Sequence, residues 1–390
     1  MQHSERASIV AMGLVCALGQ GCDEAFDALL RGEAPVTPPP FALPFQTVTG
    51  AVVGALDPMP ASLRAWDTRL ARIALRALPQ VSHAVERLKA QHGADRVALL
   101  VGTSTGGLDA TEPAYRHYRA TEQRQPEFSL RRAHAFDALA NLLRERLGLR
   151  GPCYAVSTAC TSSAKALASA LRLIDTRAVE AALVIGVDAL CETTVRGFHG
   201  LGVLSRQAAR PFSSERDGIH IGEGAAILVL ERGGDGPVQL AAVGESSDAH
   251  SMSAPHPEGI GAASAMMRAL AHAGLDASQV DYVNAHGTGT QQNDVAEAQA
   301  LRRVFGAHTP VGSSKGATGH TLGACGAIEA VFCAQAIVRG QLPPSTGALP
   351  LAPELGLNVL QAALRTPVRA ALSNALAFGG SNASVLLTAS

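Results

Sequence analysis

The sequence has no C-x-x-C pair and no cluster of cysteines and histidines at metal-ligand spacing, so structural zinc modules are excluded and no metal is expected. Its seven cysteines are odd in number and scattered, which fits a reducing compartment better than a disulfide framework. It has no excess of one charge. Lys plus Arg is 32 against 33 for Asp plus Glu, which gives no basis for a nucleic-acid surface or a polybasic membrane patch. It also lacks an uninterrupted apolar run of the ~20 residues that a membrane span needs. The best candidate, residues 322–338, is broken by Glu329 and Gln335. The apolar run 7–18 mimics a secretory leader, but Glu5 accompanies Arg6 before it and no small-x-small site follows. A first buried strand is the expectation there, in a cytoplasmic protein.

What is present is apolar. Charged residues are 17% and apolar ones 47% of 390 residues, so much of the chain must be buried, in two domains or one two-part fold. Strand-like and helix-like runs alternate, which predicts an α/β fold. Strands are expected at 8–14, 97–101, 153–156, 181–187, 224–231, 280–284, 368–372 and 384–388. Helices are expected at 24–31, 67–89, 262–273, 294–305 and 322–339. Residues 33–60 are Pro-rich loop, 115–132 is polar and irregular, and Gly233-Gly-Asp-Gly-Pro237 is the strongest break. The halves are therefore set at 1–235 and 236–390.

Chemistry gathers at four places. In Val156-Ser-Thr-Ala-Cys-Thr-Ser-Ser-Ala164, Cys160 stands between a strand and a helical pattern. A helix N-terminus there favours thiolate; the alternative is a small buried residue. His286 follows a buried strand within Asn284-Ala-His-Gly-Thr-Gly-Thr290. Lys315 and His320 lie in Ser313-Ser-Lys-Gly-Ala-Thr-Gly-His320, with Glu329 in the helix beyond. That loop lacks the Walker pattern, so no nucleotide or other cofactor is expected. Adjacent glycines follow Phe378 in a fourth loop, where a backbone N–H can face a site unobstructed. One cysteine, two histidines and a lysine suit carbon–carbon bond formation: an acyl group on the thiol, and donors for an enolate oxygen.

These motifs, with Glu215-Arg-Asp-Gly-Ile-His-Ile-Gly-Glu-Gly224, resemble those of the β-ketoacyl-acyl-carrier-protein synthases, in the Cys-His-His group of condensing enzymes, from Ile9 to Leu387. The resemblance implies the thiolase fold: two similar βαβαβαββ halves forming a five-layered αβαβα core. It implies Cys160 as acyl acceptor and His286 and His320 as promoters of malonyl decarboxylation. Lys315 would order His320, in a charged network with Glu329, and Asp294 would support the first histidine loop. Backbone N–H groups of Cys160 and Phe378 would form the oxyanion hole, with Phe378 also a gate. Thr105, Phe198 and Leu376 would line the acyl pocket. The implied partners are acyl- and malonyl-loaded carrier protein and a second subunit, in a homodimer or a heterodimer with a related synthase. Leu376 in place of an aromatic, Thr105 in the Gly-rich turn and the polar Thr161-Ser-Ser163 resemble condensing enzymes of aryl polyene and xanthomonadin-type pigment clusters. A Thr105 hydroxyl in an apolar tunnel would need a partner, and so would favour a conjugated chain. A chain-length-factor subunit would usually lack the cysteine, and a thiolase would carry another cysteine near Phe378.

Overall fold

The computed structural model describes residues 6–390; Glu5, weighed above against a secretory leader, lies outside them. The main sheet has eleven strands among the described residues. Ten of them are β1 Ala7–Val15, β2 Val97–Gly102, β3 Cys153–Val156, β4 Ala181–Asp188, β5 Gly224–Arg232, β6 Val238–Ser247, β7 Tyr282–Asn284, β8 Pro310–Gly312, β9 Ala370–Ala377 and β10 Ser381–Ala389. The helices are α1 Cys22–Leu30, α2 Arg69–Ala77, α3 Ser82–His92, α4 Leu108–Thr121, α5 Ala138–Leu147, α6 Ser162–Asp175, α7 Glu192–Gly200, α8 Ile260–Ala273, α9 Gln291–Phe305, α10 Lys315–Thr318 and α11 Cys325–Arg339.

The two halves repeat one plan. Their strand orders are β3-β2-β4-β5-β1 and β8-β7-β9-β10-β6, the latter extended by a two-residue strand at Asn358–Val359. In each half the first three strands of that order are parallel and the last two antiparallel. The halves join where Ala7, Ser8 and Ile9 of β1 pair with Leu240, Gln239 and Val238 of β6. Helices α6 and α11 touch each other and strands of both halves, so they form a middle layer. Helices α2, α3 and α5 cover the outer face of the first half, and α8 and α9 that of the second. Three buried apolar clusters fill the spaces between these five layers.

Of the two middle helices, α11 is buried on every side from Cys325 to Ile337 because protein surrounds it, whereas α6 keeps a polar face with Lys165 and Arg172. The stretch Leu322–Arg339 is long and apolar enough by composition to cross a membrane, yet 89% of its apolar window is buried here. It is the core helix of the second half.

Four local expectations need correction. The helical run at 67–89 is two helices, because Pro79 breaks it into a 3-10 turn at Leu78–Gln80. The stretch 115–132 is helical as far as Thr121, since α4 absorbs Pro113 near its start. Strands β6 and β8 lie in stretches for which no element was expected. Finally, the glycine-rich segment 373–382 is mostly strand: β9 and β10 form a hairpin, and only Phe378-Gly-Gly380 is its turn.

Candidate active site

The site lies at the carboxyl ends of the parallel strands, where both halves deliver their loops. β3 ends at Val156, and the chain turns sharply before α6. Ala159 holds φ at 53°, the left-handed region that a side chain resists. Hydrogen bonds stitch this elbow: Thr158 N–H donates to Ser162 Oγ at 2.9 Å, and Thr161 Oγ1 donates to Thr158 O at 2.7 Å. Ser163 Oγ accepts from Ala327 N–H at 2.9 Å, tying α6 to α11. The polar helix start is thus committed to holding Cys160 in place.

In the second half, β7 runs into His286. Glu297, buried on α9, accepts the backbone N–H groups of His286 and Gly287, each at 2.7 Å. Asp294, one turn earlier, accepts from Phe212 N–H at 2.8 Å and Gly289 N–H at 3.2 Å. These two carboxylates fix the loop that aims His286. Lys315 opens α10 after β8 and pairs with Glu329 at 2.5 Å, both fully buried. No hydrogen bond joins Lys315 to His320 among the described residues. Instead Leu322 N–H donates to His320 Nδ1 at 3.1 Å. That bond leaves the ring proton on Nε2, so His320 is a donor toward the site.

The structure brings the trio together. The Cys160 sulfur and one nitrogen each of His286 and His320 lie within 4.8 Å of one another. The imidazole rings meet edge-on, centroids 5.2 Å apart. They border a cavity of ≈ 440 Å³ that also touches Phe198, Leu376 and Phe378. The Phe198 and Phe378 rings are 5.7 Å apart. Neither the Cys160 nor the Phe378 N–H donates to a main-chain carbonyl among the described residues. Thr105 is off this cavity, and its hydroxyl already donates to Asp188 at 2.6 Å. The expectation of an unpartnered tunnel hydroxyl therefore fails.

Burial governs the electrostatics. It pushes the Cys160 thiol up to about 12 against an ordinary 9, with Lys315 pulling down and Asp188 pushing further up. A helix N-terminus is worth up to ~2 kcal/mol, little more than one pK unit, so the resting group is a thiol rather than the expected thiolate. Burial also holds His286 and His320 well below 6.5, and the Lys315 charge lowers both further. Both are neutral donors. Glu329 rises to about 7 by burial against the pull of Lys315. One cysteine and two histidines have the count for a soft metal. A metal on His320 Nε2 would need its proton on Nδ1, where Leu322 N–H already points, so the trio suits hydrogen bonding to a substrate oxygen better.

Comparison with known proteins decides the family. Residues 4–235 match the N-terminal domain of β-ketoacyl synthases and residues 238–348 the C-terminal domain. The chain belongs to the β-ketoacyl synthase family. The synthase is 35% identical over 395 residues to nodulation protein E of Rhizobium meliloti (strain 1021), covering 97% of this chain and 98% of that one. It is 33% identical over 310 residues to 3-oxoacyl-[acyl-carrier-protein] synthase 2 of Staphylococcus aureus, covering 75% and 77%. The ketosynthase ApeO, solved in complex with its chain length factor ApeC from Xenorhabdus doucetiae, superposes with a TM-score of 0.92 at 35% identity, over 99% of this chain and 98% of that one. The synthase has the thiolase fold and is an acyltransferase of the condensing class.

Three residues of the site escaped sequence reading. Glu297 and Asp294 share the buried face of α9, and acidic residues three apart on such a face were the available signal for Glu297. Asp188 ends a wholly apolar strand. Leu322, with φ at 52°, left no sequence trace.

Proposed function

We propose that this synthase joins an acyl group held on Cys160 to a malonyl unit on acyl carrier protein. The acyl thioester and malonyl thioester, with one proton, give a 3-oxoacyl thioester on the carrier, carbon dioxide and free Cys160 thiol. Cys160 attacks the incoming acyl thioester, and its proton leaves with the departing carrier thiol. The N–H groups of Cys160 and Phe378 receive the oxyanion. His286 and His320 then donate to the malonyl thioester oxygen while the bond to the carboxylate breaks. The enolate carbon attacks the acyl carbonyl and expels Cys160. Lys315 keeps both imidazoles neutral through its charge. The observation that carries this reading is the trio around one cavity, with the His320 proton directed to Nε2. The cysteine together with both histidines favours an active subunit over a non-catalytic chain-length factor.

The second subunit fits the open edge of the sheet. β3 is paired on one side only, Tyr154 on it is exposed, and so are Tyr115, Leu130 and Phe136 in the segment between β2 and α5. Such an edge is normally covered, and a related synthase-fold subunit covers it best. All seven cysteines are free, which supports a cytoplasmic location. For the acyl chain, the paired rings of Phe198 and Phe378 favour a flat conjugated group over a saturated one, so aryl polyene or polyketide elongation suits this cavity.

The test is acyl-enzyme mass together with carbon dioxide release. Cys160→Ala should form no acyl-enzyme from acyl carrier protein while malonyl decarboxylation persists. Acyl-enzyme formed by that variant sinks the assignment.

A further inference from the structure

Asp188 is wholly buried at the end of β4 and belongs to no motif. Its carboxylate accepts from Thr103 Oγ1 at 2.6 Å, Ser104 N at 3.0 Å, Ser104 Oγ at 2.8 Å, Thr105 N at 2.8 Å and Thr105 Oγ1 at 2.6 Å. A further donor comes from the other half of the molecule: Gly323 N–H, at 2.6 Å. Gly323 follows Leu322, whose N–H donates to His320 Nδ1. Leu322 is held at φ 52°, where a branched side chain is strained. Such a residue stays put only if its neighbours over-determine it. On one side the His320 backbone is pinned, its N–H donating to His220 O at 2.8 Å and its C=O accepting from Gly222 N–H at 3.0 Å. On the other side Asp188 grips Gly323. A Cβ on Gly323 would stand 2.7 Å from Ser104 N and 2.8 Å from Asp188 Oδ2, so the grip also requires glycine.

We propose that Asp188 is a positioning residue for decarboxylation: by clamping Gly323 N–H it holds the strained Leu322 turn that fixes His320 as an Nε2–H donor. The inference rests on the proposed role of His320, but its own readout is the ring tautomer. Without the clamp the Leu322 turn relaxes toward negative φ and its N–H swings away from Nδ1. The proton can then sit on either nitrogen, and the donor to the enolate oxygen is lost for part of the population. Cys160 acylation does not use that donor, so the two half-reactions separate.

In Asp188→Asn one oxygen becomes an N–H donor amid six donors, so the clamp loosens. Nitrogen-15 spectra of His320 should show the Nε2–H form in the unaltered enzyme and a mixture in the variant. Malonyl decarboxylation should fall by roughly 10–100-fold, a fraction of the ~10²–10³ that loss of an oxyanion donor costs. Acylation of Cys160 should not fall, since losing the Asp188 charge only eases loss of the thiol proton. Should Asp188→Asn fail to fold, Ser104→Ala, which removes the weaker acceptor of Gly323 N–H at 3.2 Å, gives a milder form of the same split. Leu322→Gly removes the strain, so in that background Asp188→Asn should cost far less. An unchanged Nε2–H signal in a folded Asp188→Asn enzyme, or equal loss of both half-reactions, overturns the proposal. If instead unaltered enzyme shows no dependence of decarboxylation on His320, the functional reading fails while the tautomer result still stands.

Discussion

At Cys160 burial and a helix N-terminus pull in opposite directions, and burial wins. The alkylation rate should therefore climb about tenfold per pH unit from pH 7 to 9.5 with no plateau; a plateau near 8.5 in iodoacetamide kinetics would mean that the dipole prevails. Cys22 and Cys153, the only partly exposed thiols, should compete with it. His220 is the third buried histidine, and burial lowers it to about 4. The unfolded chain takes up its proton near 6.5, the folded one near 4. Stability present above pH 6.5 is thus lost as pH falls toward 4, and ~1.4 kcal/mol per pH unit makes this about 3 kcal/mol. His220→Gln keeps an acceptor for Ala209 N–H, which donates to Nδ1 at 2.9 Å, and does not titrate. Its urea-unfolding free energy should fall less between pH 7 and 4, by about that amount; parallel curves would contradict it. The reacting residues were legible because each stands in a short string of small residues, glycine-rich around His286, Lys315 and His320 and made of Ala, Ser and Thr around Cys160. Thr105 was misread because its partner, Asp188, is 83 residues away.

At the element scale, α9 matters through its buried acidic face. Glu297 satisfies two main-chain donors and the Asn374 amide at 3.2 Å. Glu297→Ala orphans these groups at about 1–3 kcal/mol each, so a loss of several kcal/mol by denaturant titration is expected. Decarboxylation should fall with it, because the His286 backbone is freed; a stability loss without that fall would confine Glu297 to folding. Helix α4 was hard to read because Pro113 and a polar surface hide its periodicity. β8 was hidden by its three-residue length. The parallel strands β2 and β4 were plain, because strands buried on both faces are continuous apolar runs.

For the whole molecule, the five layers follow from two repeats sharing one middle layer. Their break at 233–237 was visible as a glycine cluster, but the pairing of β1 with β6 was not, since register depends on partners far away in sequence. The exposed side chains between β2 and α5 should measure the assembly. Leu130→Asp and Phe136→Asp together should shift sedimentation from dimer toward monomer and leave the far-UV spectrum intact; an unchanged dimer would place the partner elsewhere. The loop joining the halves carries no reacting group, and the sulfur and the imidazoles arrive from opposite sides of the seam. Fragments divided within that loop would each be inert, and each would regain turnover only when held against the other. Fused to two other proteins, they would report by acyl transfer whether those proteins meet.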